Sequence, residues 1–158
     1  MGKFAVIALV LIVLFIGWRS QELGDPAPDF SLQDLYGRTV SLKSLKGGPV
    51  LLVFWSTSCG ICRTQMPVLG SLRNDYRQKG LQVLGVSLDD RQSASSYLSA
   101  NHYYMNSVID SSGEIAQRYG VSGIPTMVLL DREGRIAGRA KGFRSEPRLR
   151  AALRHVGL

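Results

Sequence analysis

Residues 50–62 read Val50-Leu51-Leu52-Val53-Phe54-Trp55-Ser56-Thr57-Ser58-Cys59-Gly60-Ile61-Cys62, and this stretch decides the fold. Six apolar residues run from Val50 to Trp55, directly after the turn signal Gly47-Gly48-Pro49. A run this short, with β-branched and aromatic residues and breakers ahead of it, predicts a strand buried on both faces. From Ile61 onward, Met66, Leu69, Leu72 and Tyr76 recur at helical spacing until Lys79-Gly80 closes the helix. Pro67 lies inside that helix and should kink it. A buried strand leading at once into a helix is the seed of a layered α/β domain.

The pattern continues on both sides. Gly37 marks a turn before a short strand over 39–42, and Leu81 to Leu88 forms the next strand. Ala94, Tyr97 and Leu98 predict an amphipathic helix ending near Asn101. Val108-Ile109 is a faint strand, and Glu114 to Tyr119 a short helix ending at Gly120. Residues 126–130 and 135–140, joined by Asp131-Arg132-Glu133-Gly134, predict a hairpin. Leu149, Ala152, Leu153 and Val156 line one face of a final helix. No internal repeat and no low-complexity tract interrupts this order.

Composition separates the chain into two objects. Its 158 residues are 45% hydrophobic and carry 19 Lys and Arg against 12 Asp and Glu, a net charge of +7. This is too apolar for a disordered chain and long enough to bury one core. The apolar residues are concentrated, however, in Phe4 to Trp18, an uncharged run that no later segment matches. As a helix this run spans about 22 Å, short of the roughly 30 Å hydrocarbon core, with Trp18 and Arg19 placed as interfacial anchors. It reads as an uncleaved signal anchor, with a cleaved signal peptide as the alternative; no Ala-x-Ala pattern follows it. The expected organisation is an anchor over 1–19, a linker over 20–29 rich in Gly24-Asp25-Pro26-Ala27-Pro28 chemistry, and a folded domain over 30–158. Lys3 ahead of the run favours an N-terminus in the cytoplasm and an exported domain, where disulfides persist.

Cys59 and Cys62 are the two cysteines of the chain. They fall between a buried strand and the first turn of a helix. Residues three apart on a helix are neighbours, so the sulfurs lie within disulfide reach. The helix N-terminus supplies unpaired N–H groups and partial positive charge, which favour thiolate over thiol. Cys59 should be exposed and Cys62 covered, the arrangement for thiol–disulfide exchange through a mixed disulfide. Zinc would need four ligands, and only His102 and His155 remain, at unhelpful spacing. A c-type haem needs His where Arg63 stands. A purely structural disulfide and a Cu(I) site of two soft thiolates stay as lesser alternatives. No cofactor and no metal is called for.

With those residues quoted, the chain resembles the thioredoxin-like superfamily, and most of all its membrane-anchored TlpA/ResA-like branch of thiol–disulfide oxidoreductases. The matching elements are Pro26-Ala27-Pro28-Asp29-Phe30, then Val53 to Arg63, Met66-Pro67, Tyr119 to Thr126 and the turn Asp131 to Gly134. The resemblance implies a thioredoxin-like fold, a central mixed sheet flanked by helices. It implies a cis bond between Ile124 and Pro125 facing the cysteines, with the Ile124 backbone pairing with the substrate chain. Cys59 and Cys62 are then the redox pair, and Gly60, Ile61, Ile124 and Pro125 contact the substrate. The implied partners are a disulfide-containing exported protein such as apocytochrome c and a membrane thiol protein that donates electrons. The domain is expected to be a monomer on the bacterial inner membrane, facing the periplasm.

Three departures from the family pattern stand out. Val53 occupies the place of the buried Asp of thioredoxins, and Gln65 the place of a Glu common in the TlpA-like branch. Either carboxylate would accept the proton of the second thiol, which leaves Cys62 to water or a more distant group. Ser58 and Ile61 replace a Trp and a Pro around the pair. Phe54 and Trp55 are expected in the core, and His102-Tyr103-Tyr104-Met105 in a solvated loop. Between Arg132 and Arg154 eight Lys and Arg face only Glu133 and Glu146. A solvated basic face explains this, with an acidic partner or lipid headgroups as the functional reading and nucleic acid disfavoured.

Overall fold

The computed structural model describes residues 23–158. The apolar run and its anchor reading lie outside the described residues, among which no helix is long and apolar enough to cross a membrane. In chain order the elements are β1 (Ser31–Gln33), β2 (Thr39–Ser41), β3 (Val50–Trp55), α1 (Gly60–Tyr76), β4 (Gln82–Ser87), α2 (Arg91–Ala100), β5 (Asn106–Ile109), α3 (Glu114–Arg118), β6 (Thr126–Leu130), β7 (Ile136–Lys141) and α4 (Glu146–Arg154). Strands β3 to β7 form one mixed sheet in the order β5-β4-β3-β6-β7. Strands β3, β4 and β5 are parallel, while β6 and β7 run antiparallel to their neighbours. Strand β3 is the centre, and all six of its residues are buried, as its unbroken apolar run predicts.

The two faces of β3 build two cores. Leu51, Val53 and Trp55 pack against Met66, Leu69 and Leu72 of α1, Ala94 and Leu98 of α2, and Leu149 and Leu153 of α4. Val50, Leu52 and Phe54 face the other way, onto Phe30, Leu42, Ile115 and Tyr119. Alternation along one strand thus feeds both layers, the consequence of a two-residue side-chain period. Helix α1 runs unbroken through Pro67. Gly80, with φ +93°, turns the chain out of the helical region ahead of β4.

Two segments differ from the sequence expectation. Residues 24–27, read as linker, are bonded to the hairpin: Gly24 N–H donates to Ile136 O (2.7 Å), Ile136 N–H to Asp25 O (2.9 Å) and Ala27 N–H to Gly134 O (3.0 Å). Backbone groups alongside an edge strand attract this pairing whatever the side chains, which composition cannot reveal. The loop at His102–Met105 is only partly solvated. Met105 is buried, and Tyr103 stacks on Tyr97 (6.2 Å between rings), which in turn meets Trp55 (5.8 Å). His102 and Tyr104 are the exposed members.

Gly85 in β4 is where Trp55 needs space. A Cβ there would lie 2.8 Å from Trp55 Nε1 and 2.3 Å from Ser107 Oγ, the two ends of a 2.9 Å hydrogen bond. Gly85→Ala should therefore destabilise the protein by about 1–3 kcal/mol in urea unfolding, through overpacking. Gly70 on α1 has open space around it, so Gly70→Ala should stabilise by about 0.5–1 kcal/mol. The opposite signs of the two substitutions check the packing read from β4.

Candidate active site

The chain leaves β3 at Trp55 and enters α1 at Gly60, with Cys59 as the residue that caps the helix. Cys59 and Cys62 are joined in a disulfide with Cα atoms 5.2 Å apart. The Cys62 N–H points at Cys59 Sγ, 3.2 Å away. When the disulfide opens, that N–H and the helix N-terminus remain aimed at the Cys59 sulfur and favour its thiolate. Cys59 is half-buried and Cys62 only 1% exposed, so a polypeptide reaches the first sulfur and not the second. Ile61, between them, is 53% exposed, and Gly60 is exposed as well.

Two further segments meet the cysteines at this end of the sheet. Phe54 pairs with Thr126 across the β3–β6 ladder, so Pro125 leaves the sheet level with the strand end that leads to Cys59. The Ile124–Pro125 bond is cis, as the resemblance implies. Ile124 packs against both cores; Cys62 lies in one of them, and Cys59 packs against that same one. The third segment follows β7. Gly142 N–H donates to Pro125 O (2.8 Å), and Arg144 is tied to α1 by Gln65.

Gln65 explains one departure from the family pattern. It is 1% exposed; its Oε1 accepts from Arg144 N–H (2.8 Å) and its Nε2 donates to Arg144 O (3.1 Å). The amide offers both an acceptor and donors at one end, so both buried contacts are met without a charge. Val53, the other departure, lies in the apolar core, paired in register with Gly85 and Met127.

A carboxylate absent from the sequence reading does reach the cysteine loop. Asp89, just beyond β4, accepts from Thr57 N–H (2.7 Å) and from Ser56 Oγ (3.1 Å). Ser56 Oγ also contacts Ser58 Oγ (2.9 Å) and accepts from Ser58 N–H (3.2 Å). The three residues before Cys59 are thereby held by one side chain from the neighbouring strand end. The available signal was the hydroxyl run Ser56-Thr57-Ser58 together with an Asp at a parallel strand's end. Among the described residues, no group of three or more His, Cys, Asp or Glu is placed to hold a metal ion.

A five-stranded mixed sheet carrying a strand–CxxC–helix disulfide opposite a cis-proline defines a thioredoxin-like thiol–disulfide oxidoreductase. The chain belongs to the AhpC/TSA family, whose model matches residues 23–139. The thiol-disulfide oxidoreductase ResA of Bacillus cereus (strain ATCC 10987 / NRS 248) is 31% identical over 97% of this chain and 95% of its own length. That of Bacillus thuringiensis subsp. konkukian (strain 97-27) is 30% identical with the same coverage. Among solved structures, a Chlorobium tepidum protein assigned as the thiol:disulfide interchange protein DsbE superposes with a TM-score of 0.82. It is 34% identical, over 87% of this chain and all of that one.

The two-way bond at Gln65 has a measurable weight. Gln65→Leu keeps the volume and leaves the Arg144 N–H and C=O without their partner, which should cost about 1–3 kcal/mol in chemical unfolding. Arg144→Ala keeps those backbone groups in place and should cost less than about 0.5 kcal/mol. Equal losses for both would show that the Arg144 side chain, not its backbone, holds the loop.

Proposed function

We propose that the protein is an anchored, extracytoplasmic reductase of disulfides in exported proteins, apocytochrome c being the client class its resemblance suggests. The observation that carries the reading is the asymmetric pair: a reachable Cys59 capping α1 and a covered Cys62 one turn inside it. In the dithiol form, the Cys59 thiolate attacks one sulfur of a client disulfide. A Cys59–client bond forms as the client S–S bond breaks, and the departing client sulfur takes up a proton. Cys62 then gives up its proton and attacks Cys59 Sγ, which closes the enzyme disulfide and releases the second client sulfur as a thiol. Two electrons pass from the enzyme to the client. A membrane thiol protein returns them by the reverse exchange.

The client chain lies along Ile124, whose backbone beside Pro125 receives it in the manner of an added strand. Gly60 and Ile61 form the opposite lip. The support for compartment and anchor is the apolar run Phe4–Trp18 with Lys3 before it and Trp18 and Arg19 behind it. The relatives named ResA and DsbE support thiol–disulfide exchange as the chemistry.

Cysteine substitution tests this mechanism. Cys59→Ser should abolish turnover of a disulfide substrate. Cys62→Ala should accumulate a client mixed disulfide on Cys59 in native membranes, identified by mass spectrometry. Turnover by Cys59→Ser would sink the mechanism. Equilibration with glutathione sets the direction, and a strongly oxidising couple would make the protein an oxidant of thiols instead.

A further inference from the structure

Beside the cis-proline loop opens a shallow cavity of about 220 Å³, lined by Gly120, Ser122, Thr126, Arg139, Lys141 and Arg144. It presents three cationic side chains and two hydroxyls, and no carboxylate. Its walls are the flanks of the cis bond itself: Ser122 precedes Ile124 by two residues, and Thr126 follows Pro125. The third loop, bound to Pro125 O through Gly142 N–H, supplies Arg144.

The charges here are held in place. The Lys141 ammonium donates to Ser122 Oγ (3.1 Å) and to Ser122 O (3.4 Å). Its stem crosses Gly123, where a Cβ would sit 2.7 Å from Lys141 Cε. Glycine is therefore what lets the lysine lie against the chain just before Ile124. Arg144 has its backbone fixed by Gln65 and its Nη1 turned onto its own neighbour, Phe143 O (2.8 Å). Arg139 Nη1 donates to Tyr119 O (2.6 Å). The side-chain partners of Lys141 and Arg144 are neutral oxygens, which orient a cation without neutralising it. Arg150, by contrast, forms ion pairs with Asp75 and Glu146. Neither Lys141 nor Arg144 forms an ion pair among the described residues.

Backbone pairing along Ile124 accepts any sequence, so selectivity has to come from side-chain pockets next to it. An electropositive recess with fixed donors concentrates anionic ligands and rejects cationic ones. We infer that this recess takes an Asp or Glu side chain of the client polypeptide close to the client cysteine, so that disulfides in acidic sequence are preferred substrates. The inference rests on the oxidoreductase reading above and adds the client's chemistry to it. Ile61 and Phe143 are exposed (53% and 42%) and offer apolar surface to the same client.

Short peptides disulfide-linked to a chromophoric thiol test the assignment. Each carries Glu or Gln at one of three positions on either side of its cysteine, and kcat/KM is measured with the reduced enzyme. At one position or more, the Glu peptide should exceed its Gln counterpart by about 10-fold at low salt. The ratio should shrink as salt rises from 0.05 to 0.5 M, and approach one in the Lys141→Gln, Arg144→Gln double variant. Equal rates at every position would overturn the inference, while turnover of the Gln peptides would still uphold the oxidoreductase reading. A Glu preference that persists in the double variant would also overturn it, by placing recognition elsewhere. Salt dependence in the unaltered protein keeps the test decisive if the double variant folds poorly.

Discussion

Burial of β3 on both faces is the constraint on which the remaining structure depends. A strand in the middle of a sheet, with helices on one side and a second apolar layer on the other, reaches solvent only beyond its ends, and its C-terminal end leads to the cysteines. Trp55 closes the core there through its bond to Ser107, and four residues later Cys59 stands at the start of α1. The same strand is the pairing partner of both β4 and β6. The parallel neighbour brings Asp89 to that end, and the antiparallel one begins there, directly after Pro125. Three loops distant in sequence thus meet because they flank the ends of strands that share a ladder with β3.

The polar groups near the cysteines serve architecture before chemistry. Gln65 turns both the oxygen and the nitrogen of its amide onto the backbone of Arg144, and Asp89 accepts from Thr57 and Ser56. A Glu at position 65 would still accept from the Arg144 N–H, but it would face the Arg144 carbonyl with a second acceptor oxygen. The amide removes that conflict and with it a buried charge. The loop so pinned is the one that carries Phe143 and Arg144 to the edge of the groove. A residue that looks like the loss of a proton acceptor is, in three dimensions, the fastening of one wall of the site.

Charge follows the same logic. In the sequence the arginines and lysines from Arg132 to Arg154 form a diffuse basic stretch. The fold sorts them. Arg150 is tied up with Asp75 and Glu146 and with the ring of Tyr76, and Arg135 with the backbone of Gly24. Arg139, Lys141 and Arg144 are gathered at one recess, with the side chains of Lys141 and Arg144 against oxygens that bear no net charge. Strand β7 presents Arg139 and Lys141 on the same face because they are two residues apart.

Local pattern was enough to read β3, α1, the hairpin of β6 and β7 and the amphipathic α4, because each carries its own periodicity or turn chemistry. It was enough also to place Cys59 and Cys62 at a helix start, since spacing and position along one segment decide that. The cis bond at Ile124–Pro125 was legible only through resemblance. What the chain's linear order could not contain was Asp89 reaching Ser56 from 33 residues away. Nor could it contain Gln65 clasping Arg144 across 79, or residues 24–27 lying along the hairpin. Those contacts exist only after the sheet has brought separate strand ends together. Sequence alone determined which sulfur chemistry the protein carries; tertiary structure decided what surrounds it, because hydrogen bonds between distant segments have no signature in local periodicity.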